Sequence, residues 1–430
     1  MAQQSSGVDH QSQLGDSSEL TATVDLECRY VRELVLDAFA RRPAWSVACV
    51  SGAGEDVSTA ARTSLLHWGE YERICWDAVH KGMQLTSFYS VYLGLPRKAL
   101  LAHFARDAKW AANAYCVRKG LTRKAHLAHN ARKWAAKHPG GRLAGAVPET
   151  WPLELDDPEY VDEALCDVPE VRDMADGAAV WIAKPSITNQ ATGICIFDRV
   201  GDLRAALEAS EDLREWVLQR YIDRPLLVGG RKFHIRAYVL CIGSLAVYVY
   251  SDALALFAAK PYAGAPLTDL AAHLTNTCRA RRGASPPDSD AEEATGGGGS
   301  RGWREEDAVR LVSELPQLLE AEGLARGEAE ARVRQLMSDV HAVLGECLEA
   351  VSGELSFFTL PTCFELFGFD LVVDEDWHVW LLEANAEPDM AQTGERLRPL
   401  VAGLVEGILA LVADPLVRLV RILVVTKLTN

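Results

Sequence analysis

The chain has 430 residues, is 49% hydrophobic and carries a net charge of −16, from 60 acidic and 44 basic residues. That length predicts two or three structural units, or one large α/β body with lobes, and that apolar content can fill a core. The acidic balance argues against general nucleic-acid affinity; no run of about 18 apolar residues is read as a bilayer span, so neither nucleic acid nor membrane is an expected partner.

The first residues, MAQQSSGVDHQSQLGDSSEL, are polar and lack the apolar stretch of a secretory signal, so residues 1–22 are expected to form a disordered tail. Ten cysteines are scattered with no C-x-x-C pair, which suggests neither a zinc site nor a disulfide framework. A reduced, cytoplasmic location fits, with or without association with the cytoskeleton.

Residues 23–145 read as a mainly helical, basic domain for substrate recognition. YERICWDAVHKGMQL and PRKALLAHFARDAKWAANAY are its best amphipathic stretches, and a strand or two is expected near WSVACV (45–50). Residues 97–142 hold twelve Lys and Arg, Arg118 and Arg123 among them, against the single acid Asp107. Helix faces normally mix signs, so this island fits an acidic partner, or a surface balancing acidic neighbours.

A central domain, 146–225, is opened by the proline-punctuated AVPETWPLELDDPEY. It carries strands GAAVWIAKPS (177–186), GICIF (193–197) and EWVLQRYI (215–222), with a helix at DLRAALEAS (202–210). The loop SITNQATG (186–193) is small and polar enough to cover a nucleotide with backbone N–H groups. In 226–430, KFHIRAYVLCI (232–242) and SLAVYVYS (244–251) form a hairpin about Gly243. Residues 279–302, with four consecutive glycines, read as a disordered insertion rather than a phosphate loop, because no strand precedes them. A long helical stretch follows. CFELFGFDLVV (363–373) and WHVWLLEAN (377–385) then pair about Asp374-Glu375-Asp376. The end reads as an apolar helix stopped at Pro415 and a basic apolar tail, packed rather than membrane-anchored.

Two constellations carry chemistry. Glu383 and Asn385 are two apart on a strand, so they share a face, and the hairpin brings Asp370 beside them. Two carboxylates and an amide are hard ligands suited to Mg2+, with Mn2+ as a second candidate, or they hydrogen-bond at a strand end. Lys232, His234 and Arg236 alternate onto one face, and Lys184 follows an apolar strand. Placed opposite carboxylates, these cations make sense with anionic phosphates between them; otherwise they lie on an exposed sheet face. Gln219 and Tyr221 end a strand where an amide and backbone groups can meet a purine edge. Thr275 and Asn276, in HLTN, can bind a carboxylate or phosphate, or cap a loop.

In order, WIAKPS, TGICIF, QRYIDRPLLVGGRKFHIRAYVL, AHLTN, CFELFGFDLVVD and WLLEANAEPD resemble the tubulin–tyrosine ligase family, on the ATP-grasp fold. The resemblance implies an α/β (α+β) fold of antiparallel sheets and helices around a nucleotide cleft. It implies a ligase that phosphorylates a carboxylate with ATP and joins the acyl phosphate to an amine. Lys184 and Lys232 would hold phosphates, with His234 beside the nucleotide. Gln219 and Tyr221 would meet adenine, and Asp370, Glu383 and Asn385 would hold magnesium. Arg236 and Glu383 would be catalytic; Thr275, Asn276, Arg118 and Arg123 would lie near substrates. A free amino acid and tubulin, or another protein with an acidic tail, are the implied partners.

The chain also departs from the family pattern. KFHIR stands for Lys-Phe-Asp-Ile-Arg, and Ser251 and Leu256 stand where arginines are expected. Glu387 replaces a frequent serine. These features fit a divergent branch, and leave a second reading as a weak or inactive nucleotide-binding module for an acidic protein. Asp389 is expected to cap a turn.

Overall fold

The computed structural model describes residues 20–50, 64–74, 76, 79, 111–186, 193–210, 213–275, 308–360 and 362–428. Asn276, the insertion, most of the 186–193 loop and the first part of the basic island lie outside them.

Among the described residues, the N-terminal part holds, beside its helices, an open parallel sheet in the order β2-β1-β3-β4, from β1 (Leu20–Asp25), β2 (Trp45–Cys49), β3 (Leu66–Gly69) and β4 (Ala111–Ala112), more strand than the sequence predicts. Helix α1 (Arg29–Ala40) covers it by burying Val31, Leu34, Val35, Ala38 and Phe39, a spacing that follows the helical repeat. Leu20, Thr21 and Ala22, expected in the tail, belong to β1 and pair with Trp45, Ser46 and Val47; residues 1–19 lie outside the described residues. Only β2, in WSVACV, is legible beforehand; β3 escapes because it is short and buried along its whole length, and β1, although LTATVD alternates, because its start is read as part of the polar tail.

Residues 111–137 end in the short helix Lys119–Thr122 and in α2 (Lys124–Lys137). The central region is an antiparallel sheet in the order β5-β8-β6-β7: β5 (Thr150–Glu154), β6 (Trp181–Pro185), β7 (Cys195–Phe197) and β8 (Glu215–Arg220). Helix α3 (Val200–Glu208) packs on it through Leu203 and Leu207.

The largest sheet is antiparallel, in the order β13-β12-β10-β14-β15. Its strands are β10 (Arg231–Ile242), β12 (Leu254–Phe257), β13 (Val309–Leu311), β14 (Phe364–Val373) and β15 (Val379–Ala386), with β9 (Leu227–Val228) and β11 (Ala246–Val249) also paired to β10. Strand β10 is buried on both faces. Phe233, Ile235, Ala237 and Val239 join the core beneath α4 (Leu315–Ala321) and α5 (Arg326–Ser352). Lys232, His234 and Arg236 point the other way, toward the central sheet, and Tyr238 follows them on that face.

Helix α6 (Arg398–Leu428) corrects two expectations. Pro415 lies inside it and does not stop it. The window Glu395–Val417, of mean hydropathy 2.0, is long and apolar enough to cross a membrane. Here Val401, Leu404, Val405, Ile408 and Leu409 instead pack with α1 in one apolar cluster.

Candidate active site

Lys184 lies near the end of β6, Gln219 lies on β8, and Lys232, His234 and Arg236 lie on β10; Asp370 and Glu383 come from β14 and β15. All but Arg236 line one cleft of ≈ 690 Å³ between the central and large sheets, with Tyr221, His273 and Thr275.

The two lysines are held by neutral partners. Lys184 Nζ donates to Gln219 Oε1 (2.7 Å), and Gln219 Nε2 donates to Thr150 Oγ1 (2.9 Å). The Gln219 amide therefore positions Lys184, which differs from the expected free purine-reading group. Lys232 Nζ donates to the Tyr221 hydroxyl (2.8 Å) and sits 4.0 Å from the centre of that ring. The Tyr221 hydroxyl also meets His273 Nδ1 at 3.0 Å. Both lysines are deeply buried, at 7% and 5% exposure. Burial pushes Lys184 down to about 8, partly offset by Glu383. Burial and the like charge of Lys184 push Lys232 down to about 7. Two cations destabilised in this way form a site that an anion between them would relieve.

The carboxylate group faces Lys184 and lies beside Lys232 on the large sheet. Arg236 grips Asp370 through Nε and through Nη2, the latter 2.9 Å from Oδ2. His234 Nε2 lies 3.5 Å from Asp370 Oδ1, while its Nδ1 meets Thr275 Oγ1 at 2.5 Å. Burial alone would raise the Asp370 carboxyl, but Arg236 and then His234 hold it well below the usual range. Asn385 Nδ2 bridges Asp370 Oδ2 (3.2 Å) and Glu383 Oε1 (3.3 Å).

A bulge makes this convergence possible. Asp370 pairs with Glu383 and Leu371 with Leu381, so Leu382 is the extra residue. Before it, Val379 and Leu381 face the core; after it, Ala384 and Ala386 do. Without the bulge, Glu383 and Asn385 would share the buried face of Leu381. With it they turn to the cleft, as the sequence expectation requires, although simple alternation along the strand would place them in the core.

Among the described residues no three His, Cys, Asp or Glu side chains gather as a metal cluster. The donors here are two charged carboxylates and one amide around a single point. This hard-oxygen set fits a divalent cation that keeps most of its positions for phosphate and water.

Sequence reading missed three contributors. Lys124, from α2, reaches Glu383 Oε2 at 3.4 Å, and with burial opposing it holds that carboxyl below its ordinary value. Thr150 anchors Gln219, and His273 anchors Tyr221. Lys124 was hidden in a run of basic residues, and His273 sits in the HLTN motif with no signal for its role.

Among the described residues of the basic island, Arg118 and Arg123 have acidic partners within the chain. Arg118 bridges Glu365 and Glu387, the latter at 3.3 Å, and lies 4.2 Å above the Tyr71 ring. Arg123 faces Glu215 at 3.7 Å, Lys133 pairs with Glu354 and Arg142 with Asp339. Of the two missing arginines, Ser251 is exposed. Leu256 is buried directly opposite His234, where it supplies no charge. Asp389 caps a turn as expected, accepting from the Ala391 N–H at 2.9 Å.

The comparisons with known proteins agree with this geometry. The chain is 29% identical over 384 residues to a probable tubulin–tyrosine ligase of Saccharomyces cerevisiae, covering 78% of this chain and 44% of that relative's length. It is 27% identical to a probable tubulin–tyrosine ligase of Schizosaccharomyces pombe, covering 84% and 86%. Its structure is similar to the C-terminal domain of K. lactis Pby1, described as an ATP-grasp enzyme interacting with the mRNA decapping enzyme Dcp2. That likeness has a TM-score of 0.59 and 25% identity over 93% of this chain and 94% of that one. The fold is ATP-grasp, and because the tubulin-tyrosine ligase family model matches residues 108–297 and 319–419, the chain belongs to that family.

Proposed function

We propose that the protein is an ATP-dependent ligase that joins an amine, such as a free amino acid, to a protein carboxylate through an acyl phosphate. The observation that carries this is one cleft in which Lys184, from the central sheet, and Lys232, from the large sheet, are buried beside Asp370 and Glu383 of the large sheet, with Asn385 bridging those carboxylates. A nucleotide triphosphate with a divalent cation would satisfy the lysines and the carboxylates together.

In the reaction the terminal phosphoryl group moves from ATP to a carboxylate oxygen, and ADP leaves. The neutral amine then attacks the acyl carbon. The C–N bond forms, the C–O bond to phosphate breaks, inorganic phosphate leaves with that electron pair, and nitrogen gives up its extra proton. Lys184 and Lys232 neutralise phosphate oxygens. Arg236 holds Asp370 in place and adds a fixed cation behind it. Asp370, Glu383 and Asn385 would hold a magnesium or manganese ion, which screens the phosphate charge. Lys124 supplies a cation that Leu256 does not.

The protein substrate in this reading is tubulin or another protein with an acidic tail, met in the cytoplasm. The test is incubation with Mg-ATP, tubulin and, separately, Tyr, Glu or Gly, read by the mass of the modified tail and by ADP release. No ADP with any combination would leave the second reading, a nucleotide-binding module without ligation. The uncharged Leu256 is the observation that favours it.

A further inference from the structure

Strand β8 ends in a fork that receives both buried lysines. Gln219 lies on the strand and Tyr221 just past its end, where the Tyr221 N–H still donates to the Val180 carbonyl at 3.0 Å. Being two apart, their side chains leave on one face. Lys184 reaches Gln219 from β6 of the same sheet, and Lys232 reaches Tyr221 from β10 of the other. Among the described residues, each ammonium makes one hydrogen bond to a side chain, and each receiver is neutral.

Behind Gln219 stands Thr150, directly opposite it on β5 and buried. The Thr150 hydroxyl donates to the Pro148 carbonyl at 2.7 Å and accepts from Gln219 Nε2 at 2.9 Å. A carbonyl has no hydrogen to give, so it fixes the direction of the whole chain. Thr150 commits its one hydrogen to Pro148 and offers a lone pair to the amide. The amide must then place its NH2 on Thr150 and its oxygen on Lys184.

Behind Tyr221 stands His273, also buried, and the same logic holds with different groups. His273 Nε2 lies 3.1 Å from the Pro266 carbonyl, so that nitrogen carries the hydrogen and Nδ1 is the acceptor. The Tyr221 hydroxyl, 3.0 Å from Nδ1, donates to it and keeps a lone pair for Lys232. Burial, and then the charge of Lys232, lower the His273 imidazole, which keeps the ring in the neutral form this bonding needs. Each relay therefore ends on a carbonyl that can only accept, and each presents an oxygen to its lysine.

A neutral oxygen holds an ammonium in place and leaves its charge uncancelled; a carboxylate there would neutralise it before a phosphate arrived. Without the Thr150 hydroxyl, the amide is free to turn its NH2 toward Lys184. Without the His273 nitrogen, the Tyr221 hydroxyl is free to turn its hydrogen toward Lys232. We infer that Thr150 and His273 are positioning residues for the two phosphate-binding lysines, each locking one arm of the Gln219–Tyr221 fork with its oxygen toward the ammonium. The inference rests on the nucleotide cleft of the ligase reading. Thr150 is not among the residues that line that cleft, whereas His273 is, so the test has to separate action through Lys232 from a direct nucleotide contact.

Two double-mutant cycles test it, read by calorimetric titration of the full chain with a non-hydrolysable ATP analogue and Mg2+. Thr150→Val and His273→Phe should each weaken the analogue about threefold to tenfold. Thr150→Ser, which keeps the hydroxyl, and His273→Asn, whose Oδ1 can still accept from Tyr221, should stay within about twofold to threefold of the parent chain. In Lys184→Met, Thr150→Val should change affinity by less than about twofold, and in Lys232→Met the same holds for His273→Phe. A purely structural role, or a direct contact of His273 with nucleotide, leaves those effects undiminished and overturns the inference, as does full affinity in Thr150→Val or His273→Phe. Cooperative urea unfolding is the folding control. Where a variant fails it, Gln219→Glu carries the test: it should weaken the analogue about tenfold by neutralising Lys184, and equal or tighter binding overturns the inference. Unchanged affinity in both lysine variants would instead sink the nucleotide cleft itself. Failure of the ligase reading alone shows as intact cycles without ADP release.

Discussion

The nucleotide cleft and a second cavity, of ≈ 750 Å³ between the parallel sheet and the ends of β14 and β15, differ in sign. Strand β14 serves both, with Asp370 in the cleft and Leu366 in the second cavity. On one side the lining is cationic, with two lysines depressed by burial. On the other, Glu365 is buried at 1% exposure, and burial pushes its carboxyl up to about 7 against the pull of Arg118. In both regions burial dominates: it lowers lysines held by neutral partners and raises a carboxylate even beside a cation.

The comparison can be broken most directly at Glu383. Glu383→Gln keeps shape but removes charge, and ADP release should fall about 10²- to 10³-fold. A coupled ADP assay checks it; a full rate would remove the carboxylate group from the chemistry. Lys232→Met should weaken ATP by about tenfold to thirtyfold, the loss of one charge-assisted contact. Because Lys232 is a buried cation with a depressed pKa, the same change should leave the urea midpoint equal or higher.

The lysines also set a pH dependence. Lys184 and Lys232 have folded values near 8 and 7, below the unfolded lysine value, and phosphate binding favours their charged forms. ATP affinity should therefore be greatest below pH 7 and fall as pH rises through 7 to 9, by at least about tenfold. Stability without ligand should move oppositely. The unfolded chain binds more protons above pH 7, so this contribution rises with pH up to the unfolded lysine value. Titrations of affinity and of urea stability against pH check the two signs.

Gly368→Ala sharpens the comparison at β14. The added methyl meets Pro388 and Arg236, at a cost of about 1–3 kcal/mol. Nucleotide affinity should fall, because Arg236 positions Asp370, and a binding titration checks it. The smallest effect belongs to the basic surface. Lys119→Glu with Arg123→Glu should raise the KM for an acidic-tail peptide by less than about threefold, and only at low salt. A large, salt-resistant effect would restore the island as a docking site.

Much of the active site was legible in the sequence because its residues fall in short runs with strong local rules. Lys232, His234 and Arg236 share a face through strand alternation alone, and the structure keeps them together. Most of the parallel sheet was not legible, because its strands are short, buried and partly embedded in helix-like composition. The basic island misled for a related reason. Composition counts charges, but whether Arg118 is free depends on Glu365, 247 residues away, and on Glu387, 269 residues away.

The sequence by itself determined the family motifs, the paired strands around Asp370 and Glu383, and the supply of buried cations. The tertiary structure decided which way those groups face. In LLEANAEPD, alternation sends Glu383 to the same side as Leu381; the extra residue Leu382 reverses it, and a bulge is defined only against its partner strand. The second cavity is likewise invisible along the chain. It exists because two sheets meet, and its charge is the sum of residues from β1 to α6 that have no common spacing.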